Sequence, residues 1–494
     1  MSTEIEGPVR VRFAPSPTGF LHLGGARTAI YNDLLRQSVG GAFILRIEDT
    51  DKERSDEAMT RQIQSALAWI GTAWDEGPFL QSERLPRHHE RAEELLARGL
   101  AYRCFCTPEE LAAQRAEAEK RGLAFRYPRT CLNRSKEEIE QLLAAGKPFA
   151  VRFQMPDEHI TFTDIVRGDM DFPPDALDDF ILLRSDGNPT YHMSVVVDDI
   201  DMGVTHVLRG EDHLSNTPKH IPLFRALGGT VPTFGHLPLI LGPDKKRLSK
   251  RYGATSVEEF KTEGILPQAL YNFLALLGWS PGNEREILSR DEMIQLFDVD
   301  RLNSSPAVFD REKLLWMNSQ YLSLLDYDAL APHLQPFLEQ AGLAGVDEDR
   351  LRAAVNLHRT RARTLKDVAE LVLPYFRDEI AYDPAASAKF LKDPDLPGHL
   401  QALRDRYASV PGFTKEALEA ELRALADERQ IKAGVLIHPT RMALSGAAAG
   451  PPLFDLVEVM GRDATLAHFD RFAAFLREGA QGEAIGNTTQ AAQG

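Results

Sequence analysis

The sequence predicts an α/β first half interrupted by an α+β insertion, followed by a second half that is all-α. Up to about residue 255, short strand-like segments alternate with amphipathic helices, which is typical of α/β proteins. Beyond about residue 260, apolar residues repeat at helical spacing, most clearly in 269–277 and 365–373. A chain of 494 residues is long enough for several domains.

Composition narrows the class of protein. Hydrophobic residues make up 43% of the chain and charged residues 26%, as in soluble globular proteins. No apolar run approaches the length of a membrane span, and the first residues lack a signal-peptide pattern, so we expect a cytoplasmic protein without a membrane partner. The net charge of −16 argues against indiscriminate nucleic-acid binding but allows a local basic surface. The 3 cysteines are too few for a disulfide framework.

The first predicted elements flank a loop rich in proline and glycine. Residues 9–13 alternate apolar side chains with arginines, which predicts a half-buried strand, and 26–35 has helical spacing. Between them lie His22 and Gly24, where backbone N–H groups and the helix dipole favour a phosphate. The spacing matches neither the dinucleotide-binding nor the P-loop fingerprint. Taken alone, the stretch is equally compatible with a simple turn.

The next segment supplies a carboxylate at a strand end. The predicted strand 42–47 is followed by Glu48, and the carboxyl ends of strands are where open α/β sheets bind ligands, including ammonium groups. Amphipathic helices are predicted at about 55–70 and 84–98. From 101 to about 190 the pattern changes, and we interpret this segment as an insertion into the sheet. It contains helices with capping boxes at 107–110 and 135–138 and strands around 151–153 and 180–183.

Three further strands are expected at 191–197, 204–209 and 233–241, where the sheet resumes. The first ends in Asp198 and Asp199, which we interpret as the end of the strand rather than as metal ligands. A basic loop, 242–253, closes at a glycine, and a capping box at 256–259 starts a new helix.

Two separated motifs together resemble the two signatures of class I aminoacyl-tRNA synthetases. They are His22-Leu-Gly-Gly25 and the basic Arg247-Leu-Ser-Lys-Arg251. Further segments look like bacterial glutamyl-tRNA synthetases, so that the resemblance runs from about residue 9 to about 477. These segments are Phe13–Gly19, Arg46–Asp51, Pro189–Tyr191, Leu208–His213, Leu276–Trp279 and His438–Arg441.

Two positions depart from the idealised class signatures. Gly25 replaces the final histidine of the first signature, as is usual in the glutamyl branch. Arg247 replaces the first lysine of the second, and arginine and lysine are not equivalent on a phosphate. Lys250, the second lysine, is retained, so we assign it the main phosphate role.

The resemblance implies an architecture. A Rossmann-like nucleotide-binding catalytic domain would be followed by helical domains, with an inserted acceptor-stem-binding domain. The implied boundaries are 1–100 and 191–255 for the catalytic domain, 101–190 for the insertion, 256–325 for a stem-contact domain, 326–478 for an anticodon-binding domain and 479–494 for a disordered tail.

The resemblance also implies a glutamate–tRNA ligase, in which ATP and Mg²⁺ activate L-glutamate to glutamyl-adenylate before the glutamyl group is transferred to the 3′ end of tRNA-Glu. We expect the enzyme to be a monomer. Four alternatives stay open. The first is an enzyme that also charges tRNA-Gln, and the second is a tRNA-binding relative without activation chemistry. The other two are a shortened paralogue that modifies tRNA-Asp, against which the helical region from 326 argues, and a glutaminyl enzyme, whose second half is a β-barrel.

Site residues follow from the same resemblance. His22 and Lys250 are the implied catalytic residues. ATP would be bound by His22, Gly24, Arg247, Ser249 and Lys250, with the backbone near 239–241 at the adenine. Glutamate would be bound by Arg12, Ala14, Ser16, Glu48, Tyr191 and Arg209, with Arg209 on the side-chain carboxylate, where a guanidinium can bind bidentately. In a basic cluster, 358–366, the candidate tRNA contacts are Arg359, Arg361 and Arg363.

The cysteines match three ligands of a zinc site found in some members of this family. They are Cys104, Cys106 and Cys131, and the expected fourth ligand position is occupied by Asn133. An amide oxygen is a poor zinc ligand, so we expect a site that has lost its metal. Tyr127 or a distant histidine is the remaining substitute, although the spacing does not support either.

Overall fold

The computed structural model describes residues 8–50, 56–122, 125–248, 251, 253–377 and 379–491, with side chains through residue 478. The chain divides into two compact units. The amino-terminal unit is Met1–Thr262 with Pro267–Leu314, and the carboxy-terminal unit is Glu263–Leu266 with Leu315–Gly494. This division falls near residue 314, earlier than the implied start of the anticodon-binding domain at 326.

A seven-stranded sheet organises the amino-terminal unit. Its strands, in spatial order, are β3 (Glu76–Leu80), β2 (Ala42–Ile47), β1 (Arg10–Phe13), β9 (His206–Gly210), β10 (Thr233–Leu237), β6 (Ile160–Asp164) and β7 (Gly168–Phe172). All neighbours run parallel except β6 and β7, which are antiparallel. This confirms the predicted Rossmann-like α/β fold, because helices and short connections alternate with the parallel strands.

The predicted insertion is only partly separate from this sheet. Its strands β4 (Ala101–Cys104), β5 (Ala150–Phe153) and β8 (Ile181–Leu183) form a small antiparallel sheet. However, β6 and β7 also come from the segment 101–190 and extend the main sheet, with Asp164 of β6 paired to Phe234 of β10. Both predicted capping boxes, at Thr107 and Ser135, are present.

The expected strand at 191–197 is wrong, because this segment is a helix. Its residues Met193 and 195–197 are nearly inaccessible, so the helix is buried on several sides. A short apolar run rich in valine has the same sequence pattern in a buried helix and in a buried strand. Asp199 therefore lies on a helix rather than at the end of a strand.

The remaining elements are mostly helices. In the amino-terminal unit they are α1 (Leu23–Val39), α2 (Glu57–Ile70), α3 (Leu85–Ala97), α4 (Pro108–Lys120), α5 (Lys136–Ala144), α6 (Tyr191–Asp201), α7 (Thr217–Ala226), α8 (Val257–Thr262), α9 (Pro267–Leu276) and α10 (Arg290–Leu296), with the short strands β11 (Ile240–Leu241) and β12 (Ala307–Val308). The others are α11 (Arg311–Leu324), α12 (Tyr327–Gln340), α13 (Glu348–His358), α14 (Leu365–Val372), α15 (Pro384–Leu391), α16 (Leu396–Ser409), α17 (Lys415–Glu428), α18 (Gly434–Ser445), α19 (Leu453–Met460) and α20 (Arg462–Ala491).

The carboxy-terminal unit is helical, as predicted, but its last helix is longer than expected. The backbone of α20 continues to Ala491, through most of the segment 479–494 that the sequence predicts to be disordered. Within the described residues, no helix combines the length and the apolar character needed to cross a membrane.

Candidate active site

A cavity of about 560 Å³ opens at the carboxyl ends of β1, β2, β9 and β10. This is the edge at which parallel α/β sheets bind ligands. Its lining includes nine of the residues expected at the site: Arg12, Ala14, Ser16, His22, Gly24, Glu48, Tyr191, Arg209 and Arg247. The two other expected residues, Ser249 and Lys250, lie outside the described residues.

His22 caps the helix that starts at the cavity. Its Nδ1 accepts a hydrogen bond from the backbone N–H of Gly25, at 3.2 Å. Burial, followed by the positive charge of Arg247, lowers the pKa of His22, so the ring is neutral and its Nε2 carries the proton. A Cβ on residue 24 would lie 3.1 Å from Cε1 of the ring, which explains the glycine there. The helix start thus presents backbone N–H groups and one imidazole N–H to an anion.

The first signature is joined to the segment that follows the second signature. Leu23 donates its N–H to the carbonyl of Thr255 at 3.0 Å, and Val257 donates to the carbonyl of Leu21 at 2.9 Å. His22 and Ser256 form an antiparallel bridge between these bonds. Arg247, at the near end of the second signature, lines the same cavity. Two segments more than two hundred residues apart therefore meet at one site.

Arg209 is buried and held by four hydrogen bonds. Its Nε donates to Nε2 of His236 at 3.1 Å, and Nη2 donates to Oγ1 of Thr217 at 2.7 Å. Nη2 also donates to the carbonyl of His213 at 3.3 Å, and Nη1 donates to the hydroxyl of Tyr191 at 3.2 Å. A guanidinium has five N–H groups, so one N–H of Nη1 makes no hydrogen bond to the described residues.

A buried network of charges lies beside Arg209. Arg46, whose side chain is 0% exposed, donates from Nη1 to Oδ1 of Asp199 at 2.6 Å. The same oxygen lies 3.4 Å from Nε of Arg12, and Glu48 lies 3.4 Å from Arg46. Burial raises the pKa of Glu48, although Arg46 and Arg12 oppose this effect. Asp199 therefore holds Arg12 and Arg46 in place next to the carboxylate of Glu48.

Comparisons with known proteins point to one family. Residues 8–316 match the family model of tRNA synthetases class I (E and Q), catalytic domain, and 329–473 match that of an anticodon binding domain. Glutamate–tRNA ligase 2 of Koribacter versatilis is 48% identical over 475 residues, covering 95% of this chain and 99% of that protein. The chain belongs to the class I glutamate–tRNA ligases. The glutamate–tRNA ligase of Geobacter sulfurreducens is 45% identical with the same coverage.

Solved structures of glutamate–tRNA ligases share the fold. One, from Elizabethkingia meningosepticum in complex with its amino acid, superposes with a TM-score of 0.87 at 36% identity and covers 95% of this chain and 100% of that one. Another, from Elizabethkingia anophelis, gives a TM-score of 0.84. The match to an anticodon binding domain does not favour the shortened paralogue, and the helices of the carboxy-terminal unit do not fit the β-barrel of a glutaminyl enzyme.

Away from the cavity, the cysteines of this glutamate–tRNA ligase form a cluster. The sulfur atoms of Cys104, Cys106 and Cys131 all lie within 4.8 Å of one another. The hydroxyl of Tyr127 lies 3.4 Å from two of them and accepts the N–H of the third at 3.1 Å. Hydrogen bonding with Cys104 lowers the pKa of Cys131 to about 4. The hydroxyl of Tyr127 therefore lies among the three cysteines, and Arg134 and Arg152 also interact with Cys131 and Cys104, respectively.

In the basic cluster 358–366, the arginines differ in their surroundings. Nη1 of Arg359 donates to the carbonyls of Leu322 and Ser323 at 3.0 and 2.5 Å, so this guanidinium satisfies the carboxyl end of α11. Arg361 and Arg363 are exposed. A residue inside a basic sequence run can thus be committed to helix capping, which the sequence pattern does not reveal.

Two residues of the site escaped the sequence analysis. His236 and Thr217 both contact Arg209, and both are almost fully buried. The only sequence signal for His236 is a histidine within an otherwise apolar strand. Such a residue is usually a hydrogen-bonded core group, so the pattern alone does not indicate a role at the site.

Proposed function

We propose that this chain is a glutamate–tRNA ligase that activates L-glutamate with ATP inside the cavity and then transfers it to tRNA-Glu. The observation that carries the proposal is the pairing of charges in one cavity. Glu48, Arg12 and Arg209 line one part of the cavity, with the fully buried Arg46 next to Glu48, and the helix start with His22 lines another part. An amino acid with two carboxylates and an ammonium requires this combination of charges.

On the amino-acid side, Glu48 is the partner for the substrate ammonium group, and Ala14 and Ser16 line the same pocket. The side-chain carboxylate faces Arg209 and the hydroxyl of Tyr191. Because four hydrogen bonds already use most of the guanidinium, Arg209 contributes the remaining Nη1 N–H rather than a two-pronged grip. Arg12 supplies the second cation.

On the nucleotide side, the start of α1 and the Nε2–H of His22 face the phosphates, with Arg247 nearby. Gly24 allows close approach, and Ser249 and Lys250 complete the set by family resemblance. ATP enters as its Mg²⁺ complex, with the metal held mainly by phosphates and water. The N–H of Leu239 already donates to Oε1 of Glu211 at 2.8 Å, so the adenine uses a neighbouring backbone group.

Activation and transfer both depend on positioning. The α-carboxylate of glutamate attacks the α-phosphate, the P–O bond to pyrophosphate breaks, and the ribose of tRNA then displaces AMP. The residues bind the two reactants and stabilise charge, so no side-chain nucleophile is needed.

For the tRNA, the 101–190 segment is assigned to the acceptor stem, 256–325 to the stem and the helices from 326 to the anticodon. Of the basic cluster, Arg361 and Arg363 are the preferred candidates for phosphate contacts because their side chains are exposed, whereas that of Arg359 is half-buried. Aminoacylation of tRNA-Gln with labelled glutamate decides whether that tRNA is charged as well.

The sequence predicts a cysteine site that has lost its metal; because the hydroxyl of Tyr127 lies among the three cysteines, we propose instead that the cluster binds a structural zinc ion. Thiolates are the preferred ligands of zinc, and the three cysteine sulfurs lie within 4.8 Å of one another. In this proposal Tyr127, whose hydroxyl lies 3.4 Å from the sulfurs of Cys104 and Cys106, would supply the fourth ligand. Zinc here would link the end of β4 to the segment around Cys131 and take no part in the reaction.

The decisive experiment uses the purified full chain. ATP–pyrophosphate exchange is measured with glutamate, with and without tRNA-Glu, followed by aminoacylation of tRNA-Glu and tRNA-Gln with labelled glutamate. We expect exchange that requires tRNA and stable charging of tRNA-Glu. If the chain shows neither ATP–pyrophosphate exchange nor charging of tRNA-Glu, the proposal is rejected in favour of a tRNA-binding relative without activation chemistry. Charging of tRNA-Gln would identify a non-discriminating enzyme.

A further inference from the structure

We propose that Asp164 and His236 are positioning residues of the amino-acid site, which set the direction of the Arg209 guanidinium through a chain of hydrogen bonds. This inference rests on the proposed function of Arg209 as the ligand of the glutamate side chain. Neither Asp164 nor His236 lines the cavity. Both act on the substrate only through Arg209.

Asp164 is a buried carboxylate with four donors. Its Oδ2 lies 2.5 Å from Nδ1 of His236, and its Oδ1 accepts the backbone N–H groups of Val166 and Arg167 at 2.9 Å each. The N–H of His236 donates to the same Oδ1 at 3.2 Å. Burial raises the pKa of Asp164, but the hydrogen bonds from His236 and from these backbone groups lower it by more, so the group is ionised. Its side chain is a fixed acceptor.

The contacts of His236 determine which ring nitrogen carries the proton. Nε2 faces Nε of Arg209 at 3.1 Å, and a guanidinium only donates, so Nε2 must hold the lone pair. The proton is then on Nδ1, where it faces the carboxylate of Asp164. Burial lowers the pKa of His236, which keeps the ring neutral.

Thr217 completes the arrangement. Its Oγ1 accepts from Nη2 of Arg209 at 2.7 Å and lies 3.0 Å from Nε2 of His236, to which its own proton points. A single pattern of donors and acceptors fits these contacts, in which the one lone pair of Nε2 is shared between Nε–H of Arg209 and the Thr217 hydroxyl. Because Arg209 is held at both Nε and Nη2, its plane is fixed before glutamate arrives, and Nη1 is directed towards Tyr191.

The origin of Asp164 gives this arrangement a structural reason. Asp164 belongs to β6, which the sequence places in the insertion but which pairs with β10, the strand of His236. The turn after β6 also contacts the carboxyl end of β9, because Arg167 forms an ion pair with Glu211, the residue that follows β9. The two added strands thus contribute a carboxylate directly behind the amino-acid site.

Asp164→Asn tests the inference with little change in volume. Asparagine keeps an oxygen for the backbone N–H groups, but its amide N–H₂ replaces Oδ2 and donates to Nδ1 of His236. The ring is then driven to the Nε2–H form, whose proton opposes the Nε–H of Arg209. In tRNA-dependent exchange, we expect the KM for glutamate to rise about 10- to 100-fold, with the KM for ATP unchanged.

The matched control is Asp169→Asn, an exposed carboxylate in the same hairpin, which should leave both KM values unchanged. A coupling test adds His236→Gln, whose side-chain oxygen replaces Nε2 as acceptor without depending on Asp164. We expect a small effect of His236→Gln alone. Adding Asp164→Asn to it should raise the KM for glutamate by much less than in the wild-type background.

Equal rises in the KM values for glutamate and for ATP in Asp164→Asn would overturn the inference. So would effects of Asp164→Asn and His236→Gln that simply multiply in the double variant. If Asp164→Asn does not fold, His236→Leu is compared with His236→Gln, because leucine removes the acceptor for Nε of Arg209 and glutamine keeps one. Equal KM values for glutamate in these two variants would also overturn the inference. Failure of the wild type to perform exchange would instead reject the proposed function. An active wild type with an unaffected Asp164→Asn variant rejects this inference alone.

Discussion

Asp199→Asn should strongly destabilise the amino-terminal unit. The substitution keeps the shape of the side chain but removes the charge that compensates Arg46, which is 0% exposed, and Arg12, which is 4% exposed. Glu48 and Asp198 lie 3.4 and 4.0 Å from Arg46, so its charge keeps weaker compensation. Among the described residues, Asp199 is the one ion-pair partner of Arg12.

The magnitude follows from the burial of the pair. Removing one partner of a buried, hydrogen-bonded ion pair costs about 3–5 kcal/mol, because the remaining charge stays desolvated. For a unit of this size, that loss lowers the melting temperature by about 5–8 °C. The two units can unfold separately, so calorimetry should follow the transition that ATP and glutamate shift upwards. The KM for glutamate should also rise, because Arg12 loses its anchor.

The matched control lies two residues further along α6. Asp201 also accepts from two arginines, Nη2 of Arg84 at 2.6 Å and Nε of Arg87 at 2.9 Å, but its side chain keeps 18% exposure. Ion pairs in contact with water contribute at most about 1 kcal/mol, so Asp201→Asn should be nearly neutral. If Asp199→Asn proves as mild as Asp201→Asn, the argument from burial is refuted.

Three further outcomes are expected. Arg209→Ala should raise the KM for glutamate by about 100-fold or more while sparing the KM for ATP, and near-normal aminoacylation at low glutamate would contradict its role. Because burial raises the pKa of Glu48 and its ionised form binds ammonium, kcat/KM for glutamate should fall as the pH drops through that raised pKa. Glu48→Gln should lower kcat/KM and remove this fall at low pH. An unchanged pH profile in the variant would argue against Glu48 as the ligand of the ammonium group. Metal analysis should find about one zinc per chain, lost more readily to a chelator in Tyr127→Phe, whereas zinc-free wild-type protein would remove the assignment.

Local patterns explain what the sequence analysis predicted well. Glu48 follows a strand and His22 precedes a helix, and both features are visible within a few neighbouring residues. Since parallel strands direct their carboxyl ends to one edge, residues at those ends converge even when they are distant in the chain. The same local reasoning failed for 191–197, because a short apolar run does not distinguish a buried helix from a buried strand.

The sequence by itself determined the α/β and all-α halves, the two signatures and the charged residues at the strand ends. Only the tertiary structure decided which partners hold those charges. Asp199 reaches Arg46 from a helix, and Asp164 reaches Arg209 through His236 from strands that the sequence assigned to an insertion. Hydrogen bonds between residues far apart in the chain depend on how strands are ordered in the sheet, and that order leaves no periodic trace in the sequence.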